Sequence, residues 1–243
     1  MRQREYKMIP KVIHYCWFGK KPLPGEVKKC IKSWEKYCPG YEIKEWNESN
    51  FDIDSHLFTA SAYREKAWAF VSDYARLKII YDNGGVYFDT DVELLKNIDF
   101  LLENSCYIGV QQCECLCTTG LGFGAARFNP AVLCMLREYD GLEFTLQHQK
   151  EMACPYLNSK AIEKLGYRYS EKVWEGKDIT VYPFRYFDPI APGNSENLLC
   201  GDTVSIHQYS ASWTSGKNRF KRKIFRMIGA ENVYKLKKLL KCR

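Results

Sequence analysis

No run in this 243-residue chain approaches the roughly 18 consecutive apolar residues that a membrane-spanning helix requires. The N-terminal MRQREYKMIP carries charge but has no apolar segment behind it, so a secretory signal is not expected. No segment repeats, no tract is of low complexity, and no Ser/Gly linker divides the chain, which leaves a second domain without support. The eleven cysteines include no paired C-x-x-C units and are irregularly spaced. In a chain of this length they read as reduced thiols of a cytosolic protein, not as a disulfide framework. With 46% hydrophobic and 27% charged residues, the composition is that of one sizeable globular domain and excludes a disordered chain.

Positive charge is scarce outside one segment. The net charge of +7 divides into +10 for Lys217–Arg243, which holds eleven Lys/Arg and Glu231, and −3 for the 216 residues before it. A general affinity of the body for polyanions is therefore excluded. In the tail, Phe220, Ile224, Phe225, Met227 and Ile228, then Val233, Leu236, Leu239 and Leu240, predict two basic amphipathic helices hinged near Gly229. Such a face suits an anionic membrane surface better than nucleic acid, which needs no apolar stripe. A helix docked on the body is the alternative. The expected organisation is a domain over 1–216 and a tail over 217–243.

Strand and helix signals alternate through the first half. Lys11–Phe18 and Tyr41–Trp46 predict strands, flanking a helix with Val27, Ile31, Trp34 and Cys38 on one stripe between Pro24 and Pro39. A long helix is expected over Ser61–Tyr81, with Ala67, Phe70, Tyr74 and Leu77 on one face, broken by Asn83-Gly84-Gly85. Val86–Thr90 predicts the next strand. This order predicts an α/β fold with a mostly parallel central sheet. Further strands are expected at Cys106–Gln112, Gly122–Arg127, Ile179–Pro183 and Thr203–Tyr209, and a helix from Asn129 to Tyr139. Gln147–Asn158 shows no clear pattern.

The run Tyr81–Leu94, YDNGGVYFDTDVEL, carries the chemistry. Alternation along a strand puts Tyr87, Asp89 and Asp91 on one side and Val86 and Phe88 toward the core, at the strand end where α/β sheets bind ligands. Closely spaced carboxylates repel unless a cation sits between them, and Mg²⁺ or Mn²⁺ completes its shell with substrate phosphate oxygens. An isolated D-x-D is commonly two solvated acids in a turn; the apolar strand and Gly-Gly turn before this one raise its interest. One helix upstream, Asp73 and Arg76 share a face, either as a surface ion pair or as a border of the same cleft.

Together IPKVIHYCWFG at Ile9–Gly19, the stretch Phe70–Asp99 and SIHQYSASW at Ser205–Trp213 resemble the family-32 glycosyltransferases. That group includes fungal mannosyltransferases and bacterial surface-polysaccharide enzymes, with a remoter similarity to clostridial toxin glucosylating domains. The resemblance implies a GT-A-type Rossmann-like domain that uses a UDP- or GDP-sugar with Mn²⁺ or Mg²⁺ and retains anomeric configuration. It implies that Trp17 stacks on the base and that Asp73 and Arg76 hold ribose, donor sugar or diphosphate. Asp89 would contact the ribose or sugar and assist the metal, Asp91 would ligate it, His207 would sit near the metal and diphosphate, and Ser212 and Trp213 would close over the diphosphate. Tyr87 is included in the donor site, and Thr118–Gly124 is expected to line the sugar as a loop. His14 is assigned to structure. The expected acceptor is a lipid-linked glycan, and the expected location is the inner face of a cell membrane, bound peripherally through the tail.

Other readings explain less. A phosphatase of the haloacid-dehalogenase type would want Thr or Val where Glu93 stands and a later paired-Asp motif, and Asp202 stands alone. Zinc at Cys113-x-Cys115-x-Cys117 is weaker than alternate residues of a strand facing one way. A non-catalytic membrane- or nucleic-acid-binding module would leave Asp73–Asp91 unexplained.

Overall fold

The computed structural model describes residues 8–191 and 197–210. The predicted tail at 217–243, and with it Ser212 and Trp213, lies outside the described residues.

Apolar, β-branched β1 (Val12–Cys16) is the hub of the first half. It pairs in parallel with β2 (Glu42–Trp46) and with β3 (Gly85–Tyr87). Across β3 the sheet continues with β6 (Cys117–Ala125), β5 (Cys106–Val110), β8 (Thr180–Tyr182) and β7 (Trp174–Glu175). β6 runs antiparallel to both its neighbours, and β7 antiparallel to β8. Five of the seven strands thus share one direction, giving a mixed α/β domain with a mostly parallel sheet. A separate two-stranded sheet pairs β4 (Val92–Leu94) antiparallel to β9 (Ser205–His207).

The sheet is covered on both faces. Helix α1 (Gly25–Tyr37) buries Trp34 against Tyr15, Val86 and Phe88 on one side. On the other side α2 (Leu57–Arg64), α3 (Trp68–Asn83), α4 (Pro130–Arg137) and α5 (Cys154–Lys164) pack with Tyr87 and Phe123.

The single helix expected over 61–81 is two. α2 ends in a Schellman motif: Ala67 N–H bonds the Ala62 carbonyl, Lys66 N–H bonds that of Tyr63, and Lys66 takes the left-handed conformation at φ 56°. A non-glycine residue at that position hides the break. α3 is buried on nearly every face, including Val71, Ala75 and Ile79 outside the expected stripe, because α2, α4 and α5 and strands β1, β3 and β6 surround it. α5 begins inside the stretch that had no clear pattern and runs past its end, and Cys113–Cys115 is a 3₁₀ turn, not strand. All ten cysteines among the described residues are free thiols.

His14 locks β1 to the turn that precedes β3. Its Nδ1 accepts the Trp46 indole N–H at 3.0 Å, so Nε2 carries the proton and donates to the Gly84 carbonyl at 3.0 Å. Gly85, at φ 105°, leaves the room: a Cβ there would lie 2.8 Å from Nε2. Burial holds the imidazole down at about 4, against an ordinary 6.5. The folded state therefore resists a proton that the unfolded chain takes up below 6.5. Stability is complete above pH 6.5 and falls as pH drops toward 4, by about 3 kcal/mol from this group. We expect urea unfolding at pH 7 and 4.5 to show that loss in the wild type and much less of it in His14→Gln; parallel losses would refute the assignment.

Candidate active site

The site forms where the parallel strands end. Past Tyr87, Phe88 N–H still bonds the His14 carbonyl and Asp89 N–H bonds that of Gly120. Val92 N–H then bonds the Asp89 carbonyl at 3.0 Å, and the chain turns into β4. Asp89 and Asp91 are therefore delivered by a tight turn, not by a continuing strand as the alternation predicted. Tyr87 does not point to the open side: it is 1% exposed and packs in one core while Val86 and Phe88 pack in the other.

Asp91 is held from β9. Pairing of Val92 with His207 sets the imidazole beside the preceding residue, with His207 Nε2 3.0 Å from Asp91 Oδ1. Oδ2 accepts from the Ser210 N–H at 2.8 Å and its hydroxyl at 3.1 Å. Burial alone would push this carboxyl up; His207 and the Ser210 donors bring it down to about 2. Burial works to lower His207, and Asp91 overrides it, lifting the imidazole to about 9.

Asp89 keeps 27% of its side chain open and is held from below. Arg76 Nη2 lies 3.2 Å from its Oδ1, Nη1 3.5 Å from Oδ2, and the Tyr87 hydroxyl donates to Oδ1 at 3.2 Å. Burial raises the Asp89 carboxyl despite Arg76. The guanidinium also pairs with Asp73 at 2.8 Å, donates from Nε to the Ser72 carbonyl, and lies over the Tyr87 ring. The Asp73–Arg76 pair is thus buried, not the surface pair that its spacing also allowed. Asp73 caps a helix as well. It accepts the Cys154 N–H at the first turn of α5, whose own N-cap, Ala153, has no side chain to do so.

Gly120 makes the close approach possible. A Cβ there would sit 2.3 Å from Asp89 Oδ2 and 3.0 Å from Arg76 Nη1. Thr118–Gly124, expected as a sugar-lining loop, is the interior of strand β6 and buried throughout. Its open backbone admits Asp89 and Arg76.

The structure brings Asp73, Arg76, Tyr87, Asp89, Asp91 and His207 into one linked network. Ligand atoms of Asp89, Asp91 and His207 lie within 4.8 Å of one another, the only such group among the described residues; the cysteines form none. The donor set fits a divalent ion, since two carboxylates and an imidazole match Mn²⁺ chemistry. The His207 Nδ1 has no partner among the described residues. Trp17 stands apart, at the end of β1 on the same sheet edge. It is half-buried, its indole N–H donating to the Lys21 carbonyl, in a surface depression with Lys20, Glu45 and Asn47. Sequence reading missed Ser210, which nothing in SASW-type spacing distinguishes from Ser212, and it missed Asp188 and Tyr209 beneath His207.

Residues 24–108 match the family described as "Glycosyltransferase sugar-binding region containing DXD motif". An uncharacterized glycosyltransferase of Acanthamoeba polyphaga mimivirus is 32% identical over 104 residues, 39% of this chain and 40% of that protein. The match thus spans under half the length of that relative. Among solved structures, "PaToxG Glycosyltransferase" superposes with TM-score 0.51 at 18% identity, covering 65% of this chain and 70% of that one. A glycosyltransferase involved in the glycosylation of the major capsid of PBCV-1 gives 0.48 at 13% identity, over 90% of this chain and 100% of that one. The matched family and the mimivirus relative are glycosyltransferases by their descriptions, and the superposition on PaToxG Glycosyltransferase shows a shared fold.

Proposed function

We propose that this protein is a divalent-metal-dependent glycosyltransferase that moves a hexose from a UDP- or GDP-sugar to a glycan acceptor. The observation that carries the reading is the convergence of Asp89 and Asp91, which lie inside the matched DXD-containing region, with His207 from β9 at the C-terminal edge of the parallel strands. Asp91 and His207, with Asp89, would hold Mn²⁺ or Mg²⁺. When bound, such an ion supplies Lewis-acid stabilisation of the nucleoside diphosphate as the sugar–phosphate bond breaks.

The chain's own groups prepare that event. Arg76 offers each of its three nitrogens to an internal acceptor, so in this arrangement it acts by fixing Asp89, the more open carboxylate. Ser210 fixes Asp91, leaving little reorganisation for the moment of reaction. Trp17, at the neighbouring strand end, would stack on the base, and the family-32 resemblance assigns Ser212 and Trp213 to closing over the diphosphate. Retention of configuration comes from the family-32 resemblance alone. Incubation with a panel of UDP- and GDP-sugars should release nucleotide from one donor with Mn²⁺ and not with EDTA. Equal release under both conditions would contradict metal dependence.

The same reading extends to a surface polysaccharide made on a lipid-linked acceptor at the inner face of a membrane. Its support is the eleven basic residues and apolar stripes of the tail. No described helix is long and apolar enough to cross a membrane. The full chain should float with anionic vesicles and a chain ending at Gly216 should not; equal flotation would remove the tail's role.

A further inference from the structure

We propose that Asp188 and Tyr209 are positioning residues that hold the His207 imidazole against Asp91. Asp188 is wholly buried. Its Oδ2 accepts the Tyr209 hydroxyl at 2.8 Å and the Gln112 N–H at 2.8 Å. The Tyr209 ring lies against that of His207, centroids 4.1 Å apart, and His207 in turn meets Asp91. A chain of contacts thus runs from a fixed acid through a ring to the metal-ligand candidate.

Two features say that this chain is more than packing. Tyr209 sits at φ 46°, a left-handed conformation unfavourable for a bulky residue, and persists there because its hydroxyl and ring are both tied down. Asp188 Oδ1 has no partner among the described residues, which a buried carboxylate with only a packing role would leave open at a cost. The acid itself is rigidly placed. Its N–H bonds the Phe184 carbonyl, its carbonyl accepts the Gln112 side chain, and the adjoining Tyr186 carbonyl takes the N–H groups of Val204 and Ser205 at the start of β9. Gln112 brings in the β5–β6 connection, which lies at the same sheet edge as Asp89, so that connection and the segment after β9 meet at one carboxylate. Groups behind a metal-ligating imidazole typically change metal affinity 10- to 100-fold when removed.

The test uses the full chain and two readouts. Binding of Mn²⁺ alone is followed by the loss of its free-ion electron-spin signal, and this arm rests on the metal reading above. The imidazole nitrogen resonances of the four histidines, at one fixed pH, do not. Tyr209→Phe is expected to weaken Mn²⁺ about tenfold and Asp188→Ala about 10- to 100-fold. Both should move the His207 resonances and leave His14, His56 and His148 in place. Asp188→Asn keeps an oxygen for Tyr209 and Gln112 and should stay within about threefold of the wild type. Unchanged affinity with unchanged His207 resonances in Tyr209→Phe overturns the proposal, as does Asp188→Asn behaving like Asp188→Ala. If the wild type takes up no Mn²⁺, the metal reading fails by itself, and the His207 resonances alone decide: displaced in Tyr209→Phe they uphold the positioning role, unmoved they end it.

Discussion

Asp91→Ala is expected to lower donor turnover about a thousandfold or more while leaving a folded protein. The carboxylate is where three separate contacts converge, from the His207 imidazole and from the Ser210 N–H and hydroxyl. Under the proposed function, removing it takes away a metal ligand and the anchor of the β9 end at once. The magnitude follows from losing preorganised stabilisation of a developing charge, for which one donor is worth about 10² to 10³ and a metal ligand at least as much. The fold should survive because His207 can shed the proton that Asp91 holds on it, so no buried charge is stranded. Asp91→Asn, which preserves shape, should lose comparable turnover; a variant with more than a tenth of wild-type rate would show that the ion is held elsewhere.

Arg76→Met should strike the fold itself. Arg76 is 3% exposed, its guanidinium set between Asp73 and Asp89. Methionine in its place leaves two carboxylates facing each other in a site closed by Gly120. Breaking a buried pair from one side costs about 3–5 kcal/mol, which in a domain of this size is roughly 10 °C of melting temperature. Burial already biases Asp73 and Asp89 upward, so part of the loss returns as they take up protons at lower pH. Arg76→Lys keeps the charge but not the planar fork and should recover only part of the stability. Adding Asp73→Leu to Arg76→Met should also recover part, by removing one stranded acid. Urea unfolding of the three variants gives the order; a loss under about 1 kcal/mol in Arg76→Met would mean that the pair is solvated.

Much of this arrangement is legible in the sequence because it is local. The β-branched run of β1, the Gly84-Gly85 stop and the D-x-D run each declare themselves within a few residues, and they place the sheet edge and its acids. What stays hidden depends on partners far along the chain. Lys66 ends α2 in a conformation that normally advertises itself as glycine, so two helices read as one. Pro155 opens α5, but its cap is Asp73, 81 residues earlier, and no local signal records it. The strand alternation that sorted Tyr87 with the acids holds for faces and fails for exposure, because helices cover both sides of the sheet. Ser210 and Tyr209 acquire their roles only when β9 pairs with β4, a contact spanning more than a hundred residues.

The central claim is that Asp91 holds a divalent ion against a nucleoside diphosphate. Calorimetric titration of UDP and of GDP, with Mn²⁺ and with EDTA, into the wild type and Asp91→Ala tests it most directly. We expect that one nucleotide binds the wild type, that EDTA abolishes the binding, and that Asp91→Ala loses it with the metal present. Binding that is indifferent to both the ion and the substitution would contradict the claim.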